Sequence, residues 1–155
     1  MKIGVPKETA DGERRVALVP DVVKSLKKNE NVDVVVESGA GDAAGHPDSQ
    51  YTEAGAEVGE ADVAWGADVV LRVAVPSTEE IGRLNSNQLL ISHLGPWTSA
   101  ETNRALAAAG VTSFAMEAIR ARRAPRRWTR SPRRPPPPAT PRHWSPSASP
   151  AASSG

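Results

Sequence analysis

The charge of this chain changes abruptly after Ile119, and that change decides which residues can form a packed domain. Residues 1–119 hold all 18 acidic residues against 10 of the 19 Lys and Arg, a net charge of −8. Residues 120–155 hold no acidic residue, the other nine basic residues (all Arg) and nine of the 14 prolines. Such a composition cannot bury enough apolar surface to fold. We therefore expect a domain over 1–119 and a disordered basic Pro/Arg/Ser tail over 120–155.

Short apolar runs alternate with helical patterns along the first 119 residues. The predicted strands cover residues 2–5, 32–38, 68–76, 88–92 and 111–116, with a further strand near 56–58. The predicted helices start at Pro20, near Tyr51, after the capping-box pattern Ser77–Glu80 (a helix over 81–84) and at Thr98, with Ser99 as N-cap. Alternation of this kind favours an α/β fold, a mostly parallel sheet flanked by helices.

Several classes of protein are disfavoured by what the sequence lacks. It contains no cysteine, so we expect neither disulfides nor Cys-ligated metal, and no other metal-binding cluster is evident. No apolar run approaches the ~20 residues of a membrane span, and the start lacks the apolar core of a signal peptide. We expect a cytoplasmic protein. The glycines at Gly39–Gly41 do not have the spacing of a dinucleotide fingerprint, so they predict a turn.

Three charged or titratable residues are candidates for a site. The guanidinium of Arg15 could clamp a carboxylate or phosphate, or be a solvated surface charge. Arg72 interrupts an apolar strand, where an unpaired charge is costly, so it needs a partner or lies at a pocket edge. His93 follows a predicted strand, and α/β folds bind ligands near the carboxyl ends of strands, although a lone His is more often structural.

Several blocks of sequence resemble one family. They are KIGVPKET, ERRVALVP, VVVESGAGDAAG and VVLRVAVPSTEEIGRLNSNQLLISHLGPW. In this order they are similar to the N-terminal subdomain shared by alanine dehydrogenase and the α subunit of proton-translocating NAD(P) transhydrogenase. The resemblance covers nearly all of residues 1–119. The runs ESGAG, PSTEEIGRL and SFAMEAI resemble the transhydrogenase more closely, and an alanine dehydrogenase fragment is the alternative.

The resemblance implies roles for the three candidate residues. In alanine dehydrogenases the position of Arg15 binds the substrate carboxylate, and the position of His93 is the acid/base. The position of Arg72 is a pyruvate-binding lysine in that family. Arginine keeps the charge but is not an equivalent point donor, and this departure weakens the alanine dehydrogenase interpretation.

The resemblance also implies cofactors and partners. A transhydrogenase α subunit exchanges hydride between NAD(H) and the NADP(H) of a partner β subunit. The exchange is coupled to proton translocation in a complex on the inner membrane, and the α subunits form a homodimer. The family's dinucleotide-binding subdomain lies beyond the matched region. We therefore expect this chain to bind no cofactor and to be inactive alone.

Residues 120–155 admit three interpretations. Nine Arg, with Trp128 and Trp144 as stacking residues, would suit a small basic-tailed nucleic-acid-binding protein, and a disordered extension is simpler. The third interpretation is a frameshift. With suitable codons, one base inserted after the Ile119 codon gives IPRTSRAQAMDALSSQ, which resembles the nicotinamide-site loop of transhydrogenases, and Trp128-Thr129 then forces an Asp. We expect the tail to be out of frame and nucleic-acid binding to be absent.

Overall fold

A six-stranded parallel sheet forms the centre of the fold. The computed structural model describes residues 1–29, 31–97 and 99–119. The strands are β1 (Lys2–Val5), β2 (Asp33–Glu37), β3 (Glu57–Gly59), β4 (Val69–Leu71), β5 (Leu89–Ser92) and β6 (Thr112–Ala115). They lie in the order β3-β2-β1-β4-β5-β6, and all five pairings are parallel. The predicted α/β class and parallel sheet are confirmed.

Strand order reverses beside the central strand. From β1 the chain moves outward to β2 and β3 on one side, then returns to β4 on the other side and continues to β5 and β6. In doubly wound sheets the loops after the two strands at such a reversal diverge, and a crevice opens at their carboxyl ends. The switch point of this sheet therefore lies between the ends of β1 and β4.

Within the described residues, five α-helices flank the sheet. They are α1 (Pro20–Leu26), α2 (Asp48–Glu53), α3 (Ala61–Trp65), α4 (Thr78–Ile81) and α5 (Ala100–Ala108), with 3₁₀ turns at Asp42–Ala44 and Met116–Ala118. The capping box before α4 is complete: the backbone N–H of Glu80 donates to the Ser77 hydroxyl at 3.2 Å, and the backbone N–H of Ser77 donates to the Glu80 carboxylate at 2.8 Å. Both halves satisfy N–H groups that the first turn leaves without partners.

Several predicted boundaries were wrong. The helix predicted over residues 81–84 instead covers Thr78–Ile81. Its N-cap is Ser77, so the helix starts at the next residue, three positions earlier than predicted. The strand predicted over 68–76 stops at Leu71. Beyond that point the backbone N–H groups of Val73 and Ala74 donate to a side chain instead of a neighbouring strand. The five-residue helix α3 was not predicted, since it is too short to show a helical period.

The core has two parts. One cluster surrounds β1 and β2 and contains Val5, Val34, Val36 and the fully buried Tyr51, whose hydroxyl donates to the carbonyl of Leu18 at 2.9 Å. The second packs under β4 and β5 and consists of Trp65, Val70, Ile81, Leu84, Leu90, Leu94, Leu106 and Val111. Val34, Val35 and Val36 are all buried, as predicted for a strand covered on both faces.

The predicted tail, residues 120–155, lies outside the described residues. Neither its predicted disorder nor the predicted boundary after Ile119 is tested by the structure.

Candidate functional site

An open cleft of about 470 Å³ lies at the carboxyl ends of β4, β5 and β6. We call it the β4–β5 cleft. Arg72 follows β4, His93 follows β5, and Arg15 reaches the cleft from the long segment between β1 and α1. The structure therefore brings the three candidate residues to one place. Their positions follow from the parallel topology, which gathers the carboxyl ends of all strands at one edge of the sheet.

Arg15 is the exposed charge of the cleft. Its side chain is 68% exposed, and its guanidinium donates from Nε and Nη2 to the two oxygens of Glu13, at 2.8 and 2.6 Å. The hydrogen bonds from this guanidinium lower the pKa of Glu13 to about 2. A bidentate pair on an exposed side chain exchanges readily with water or another anion. Arg15 is thus accessible to a ligand that competes with Glu13.

Arg72, unlike Arg15, is buried and bound to two carboxylates. Its side chain is 1% exposed, and Nη2 donates to Oε2 of Glu8 at 2.8 Å, while Nη1 is ion-paired with Oε1 of Glu80. Its guanidinium carbon lies 5.3 Å from the ring centre of Trp65. Burial opposes the charge, but the bonds to Glu8 and Glu80 outweigh it and raise the pKa of Arg72. Both terminal nitrogens of the guanidinium, Nη1 and Nη2, therefore contact carboxylates of the chain itself.

Glu8 was missed as a structural residue by the sequence analysis. Its carboxylate accepts three hydrogen bonds, from the Arg72 guanidinium, from the backbone N–H of Val73 at 2.6 Å and from that of Ala74 at 3.2 Å. The sequence indicated only that a buried Arg requires a carboxylate partner, and that this partner is Glu8 follows from the pairing of β1 with β4 in the structure. We call Glu8, Arg72 and Glu80 the buried ion cluster.

The buried ion cluster occupies the switch point. Glu8 follows β1 and Arg72 follows β4, so their pair joins the two loops that diverge at the place where doubly wound sheets bind nucleotides. The loop after β1 begins with Pro6 and Lys7 rather than with glycines. Gly39–Gly41 follows β2, and the N–H of Gly39 donates to the carboxylate of Asp48 at 2.9 Å. The predicted glycine turn is therefore a structural turn.

His93 lies across from an acidic residue that the sequence analysis did not select. Its side chain is 51% exposed, and Nδ1 lies 3.6 Å from Oε2 of Glu117. Oε1 of Glu117 accepts hydrogen bonds from the backbone N–H groups of Leu94, at 3.0 Å, and Gly95. The hydrogen bond from its own backbone N–H, with those from Gly95 and Leu94, lowers the pKa of Glu117. Glu117 is therefore a carboxylate beside the imidazole.

A second cavity, of about 510 Å³, lies between α1 and α2 and is lined in part by His46. Nδ1 of His46 lies 3.0 Å from the side-chain oxygen of Gln50, a local contact within one turn of chain. Across residues 1–29, 31–97 and 99–119, no His, Cys, Asp and Glu group is arranged to hold a metal ion. Within the same ranges no helix is long and apolar enough to cross a membrane.

Comparisons with known proteins agree with this fold. A family profile described as "Alanine dehydrogenase/PNT, N-terminal domain" matches residues 4–128. The chain is 34% identical over 119 residues to the NAD(P) transhydrogenase subunit alpha of Haemophilus influenzae, which covers 77% of this chain and 23% of that protein. It is 40% identical over 124 residues to the alanine dehydrogenase of Halomonas elongata, covering 78% of this chain and 33% of that enzyme.

Two solved structures, one from each branch of the family, have a similar fold. The transhydrogenase from Sinorhizobium meliloti has a TM-score of 0.71 at 43% identity, over 76% of this chain and 35% of that one. An L-alanine dehydrogenase has a TM-score of 0.71 at 36% identity, over 74% and 32%. The chain spans about a quarter to a third of the length of the curated relatives it matches. The comparisons match both branches to a similar degree.

Proposed function

Because the chain belongs to the alanine dehydrogenase/PNT family through that family's N-terminal domain, we propose that it is the N-terminal part of a proton-translocating NAD(P) transhydrogenase α subunit. The parent protein transfers hydride between NAD(H) and NADP(H), coupled to proton translocation. It works as a homodimer of α subunits with membrane and NADP-binding β subunits. The parent complex is attached to the inner membrane, with this domain on the cytoplasmic side.

One observation favours the transhydrogenase over the alanine dehydrogenase. In alanine dehydrogenases the positions of Arg15 and Arg72 both bind substrate, but here the guanidinium of Arg72 has both terminal nitrogens bound to Glu8 and Glu80. Freeing the guanidinium would leave two buried carboxylates without their counter-charge. Transhydrogenation moves hydride between two nicotinamides and needs no carboxylate-binding cation here. The arrangement of Arg72 therefore favours the transhydrogenase.

The chain alone is proposed to be inactive and free of cofactor. The buried ion cluster crosses the switch point, and the loop after β1 lacks the glycines that let a pyrophosphate approach the backbone. In the family the dinucleotide-binding subdomain lies beyond this region. NAD(H) and NADP(H) are thus proposed as cofactors of the parent enzyme, bound outside this N-terminal domain.

We propose further that residues 120–155 are the out-of-frame translation of the parent gene after loss of one base. The absence of acidic residues and the nine Arg are what GC-rich codons yield out of frame, and Trp128-Thr129 requires an Asp codon in the shifted frame. Reading the gene across codons 119 and 120 tests this. We expect a family-like loop once one base is restored. An intact frame that encodes no such loop in any register would overturn the idea.

An alanine dehydrogenase fragment is the second candidate, favoured by the 40% identity to the Halomonas elongata enzyme. The two candidates differ in what the complete protein oxidises. With the frame restored, an alanine dehydrogenase would reduce NAD⁺ with alanine as the donor, whereas a transhydrogenase would leave alanine unchanged. The unrestored 155-residue chain is the matched control and should be inactive in both assays.

A further inference from the structure

Glu117 contacts both the imidazole of His93 and the backbone that follows it. Oε2 lies 3.6 Å from Nδ1 of His93, and Oε1 accepts the backbone N–H groups of Leu94 and Gly95. The carboxylate comes from the 3₁₀ turn Met116–Ala118 after β6, whereas His93 follows β5. One side chain therefore ties together the ends of two neighbouring strands at the edge of the β4–β5 cleft.

The two oxygens of Glu117 have different tasks. Oε1 is committed to two backbone donors, which fix the carboxylate plane relative to the loop after His93. Oε2 is the oxygen that faces the imidazole. A carboxylate accepts hydrogen bonds and cannot donate one when ionised. It therefore stabilises the imidazole whose Nδ1 carries the proton, because the other tautomer would direct a lone pair at a negative charge.

The other ring nitrogen of His93 is free. Among residues 1–29, 31–97 and 99–119, Nε2 of His93 makes no hydrogen bond, and the side chain is half exposed at the cleft. With the proton on Nδ1, Nε2 has an unprotonated lone pair. The neighbouring Ser92 is fixed as well, since its buried hydroxyl donates to the carbonyl of Ala74 at 2.7 Å. The backbone that carries the imidazole is thus anchored on both sides.

We propose that Glu117 is a positioning residue for His93: it selects the Nδ1–H tautomer and leaves Nε2 as a hydrogen-bond acceptor at the β4–β5 cleft. The carboxylate acts through the imidazole and does not itself touch a ligand. This inference concerns the geometry of the chain and holds whichever branch of the family the parent protein belongs to. The cleft then offers one exposed cation, Arg15, and one hydrogen-bond acceptor, Nε2 of His93.

The test is ¹⁵N NMR of the full 155-residue chain at about pH 9, well above the ordinary pKa of an imidazole. The resonances of His93 are assigned by their loss in His93→Gln. We expect Nδ1 in the range of a protonated ring nitrogen and Nε2 in that of an unprotonated one. If the unsubstituted chain shows Nε2 protonated, the proposal is overturned, whatever the variants do.

Glu117→Gln gives the sharper comparison. The amide oxygen of Gln can keep the two backbone hydrogen bonds, which leaves its NH₂ group facing Nδ1 as a donor. The proton should then move to Nε2. The Nε2 resonance should appear in the range of a protonated ring nitrogen and the Nδ1 resonance in that of an unprotonated one. Glu101→Gln, on the exposed face of α5, removes the same charge and should change neither resonance. An unchanged tautomer in Glu117→Gln contradicts the proposal, as does an equal change in Glu101→Gln.

Discussion

Arg72 and Glu8 form an ion pair in which both side chains are almost completely buried, 1% and 4% exposed, with Nη2 and Oε2 at 2.8 Å. Glu8 follows β1 and Arg72 follows β4, so the pair joins the two loops that diverge at the switch point. A second carboxylate, from Glu80, balances the remaining side of the guanidinium. At the position where doubly wound sheets open a crevice for a nucleotide, this domain has an ion pair between the loops after β1 and β4.

Removing the cation of the buried ion cluster should strongly destabilise the fold. In Arg72→Met, the buried carboxylate of Glu8 and the partly buried one of Glu80 lose their counter-charge, and breaking a buried pair costs about 3–5 kcal/mol in the free energy of unfolding. Urea denaturation measures it. Arg104→Met is the control: the side chain is exposed on α5, and we expect a change within about 0.5 kcal/mol. Similar losses in the two variants would mean that the cluster adds nothing.

Acid should weaken the fold through Glu80. Burial raises the pKa of Glu80, but hydrogen bonds from Arg72, the Ser77 backbone and Thr9 outweigh it and lower the pKa below 4.5. A depressed carboxyl pKa adds stability above the unfolded value, and this is lost as the pH falls through the folded value. Urea midpoints should therefore drop below about pH 4.5.

The acid dependence has a matched pair of variants. Glu80→Gln should be less stable than the unsubstituted chain at pH 7 and should lose less stability between pH 5 and pH 3. Glu79→Gln, one residue earlier and exposed, should keep the original acid dependence. An identical slope in Glu80→Gln and the unsubstituted chain would show that Glu80 is not responsible.

Gly4 should not tolerate a side chain. A Cβ atom there would lie 1.9 Å from the carbonyl oxygen of Ala64, where α3 crosses β1. Gly4→Ala forces the helix away from the sheet and should cost about 1–3 kcal/mol or more. Gly59→Ala is the control, because the nearest atoms to its Cβ lie 3.9 Å away. Thermal denaturation should separate the two, and equal melting temperatures would contradict the close helix–sheet contact.

The 155-residue chain should not bind NADH specifically. Because Glu8 and Arg72 pair across the switch point and no glycine-rich loop follows β1, the fluorescence of NADH should show no saturation up to ~1 mM, an affinity weaker than about −4 kcal/mol. The complete α subunit of a transhydrogenase, which holds the dinucleotide-binding subdomain, serves as the positive control. Saturable binding at micromolar NADH would show that the described domain contains a cofactor site after all.

The strands were predictable because apolar runs and turn residues mark them locally. Lys2–Val5 was predicted with its observed bounds, and the capping box of Ser77 and Glu80 is present, although the helix was predicted over 81–84 and covers Thr78–Ile81. The early end of β4 was not predictable from local pattern, since apart from Arg72 the sequence stays apolar through Val75. It depends on Glu8, 64 residues before Arg72, whose carboxylate draws Val73 and Ala74 out of the sheet.

The same contrast holds for the site. Arg15, Arg72 and His93 could be selected because a strand end is a plausible ligand position and because the sequence resembles a known family. Their surroundings could not be predicted. Glu117 contacts His93 only because β6 pairs with β5 in parallel, which brings residues 24 positions apart to one edge. Long-range register, rather than propensity, determines these contacts.

The most direct test of the proposed function is hydride transfer by the protein with one base restored after codon 119. It would be expressed with membrane and NADP-binding partner subunits and assayed for reduction of an NADP⁺ analogue by NADH. We predict transfer that needs the partner subunits, with no reduction of NAD⁺ by alanine. Alanine-dependent reduction of NAD⁺ without partner subunits would contradict the transhydrogenase assignment.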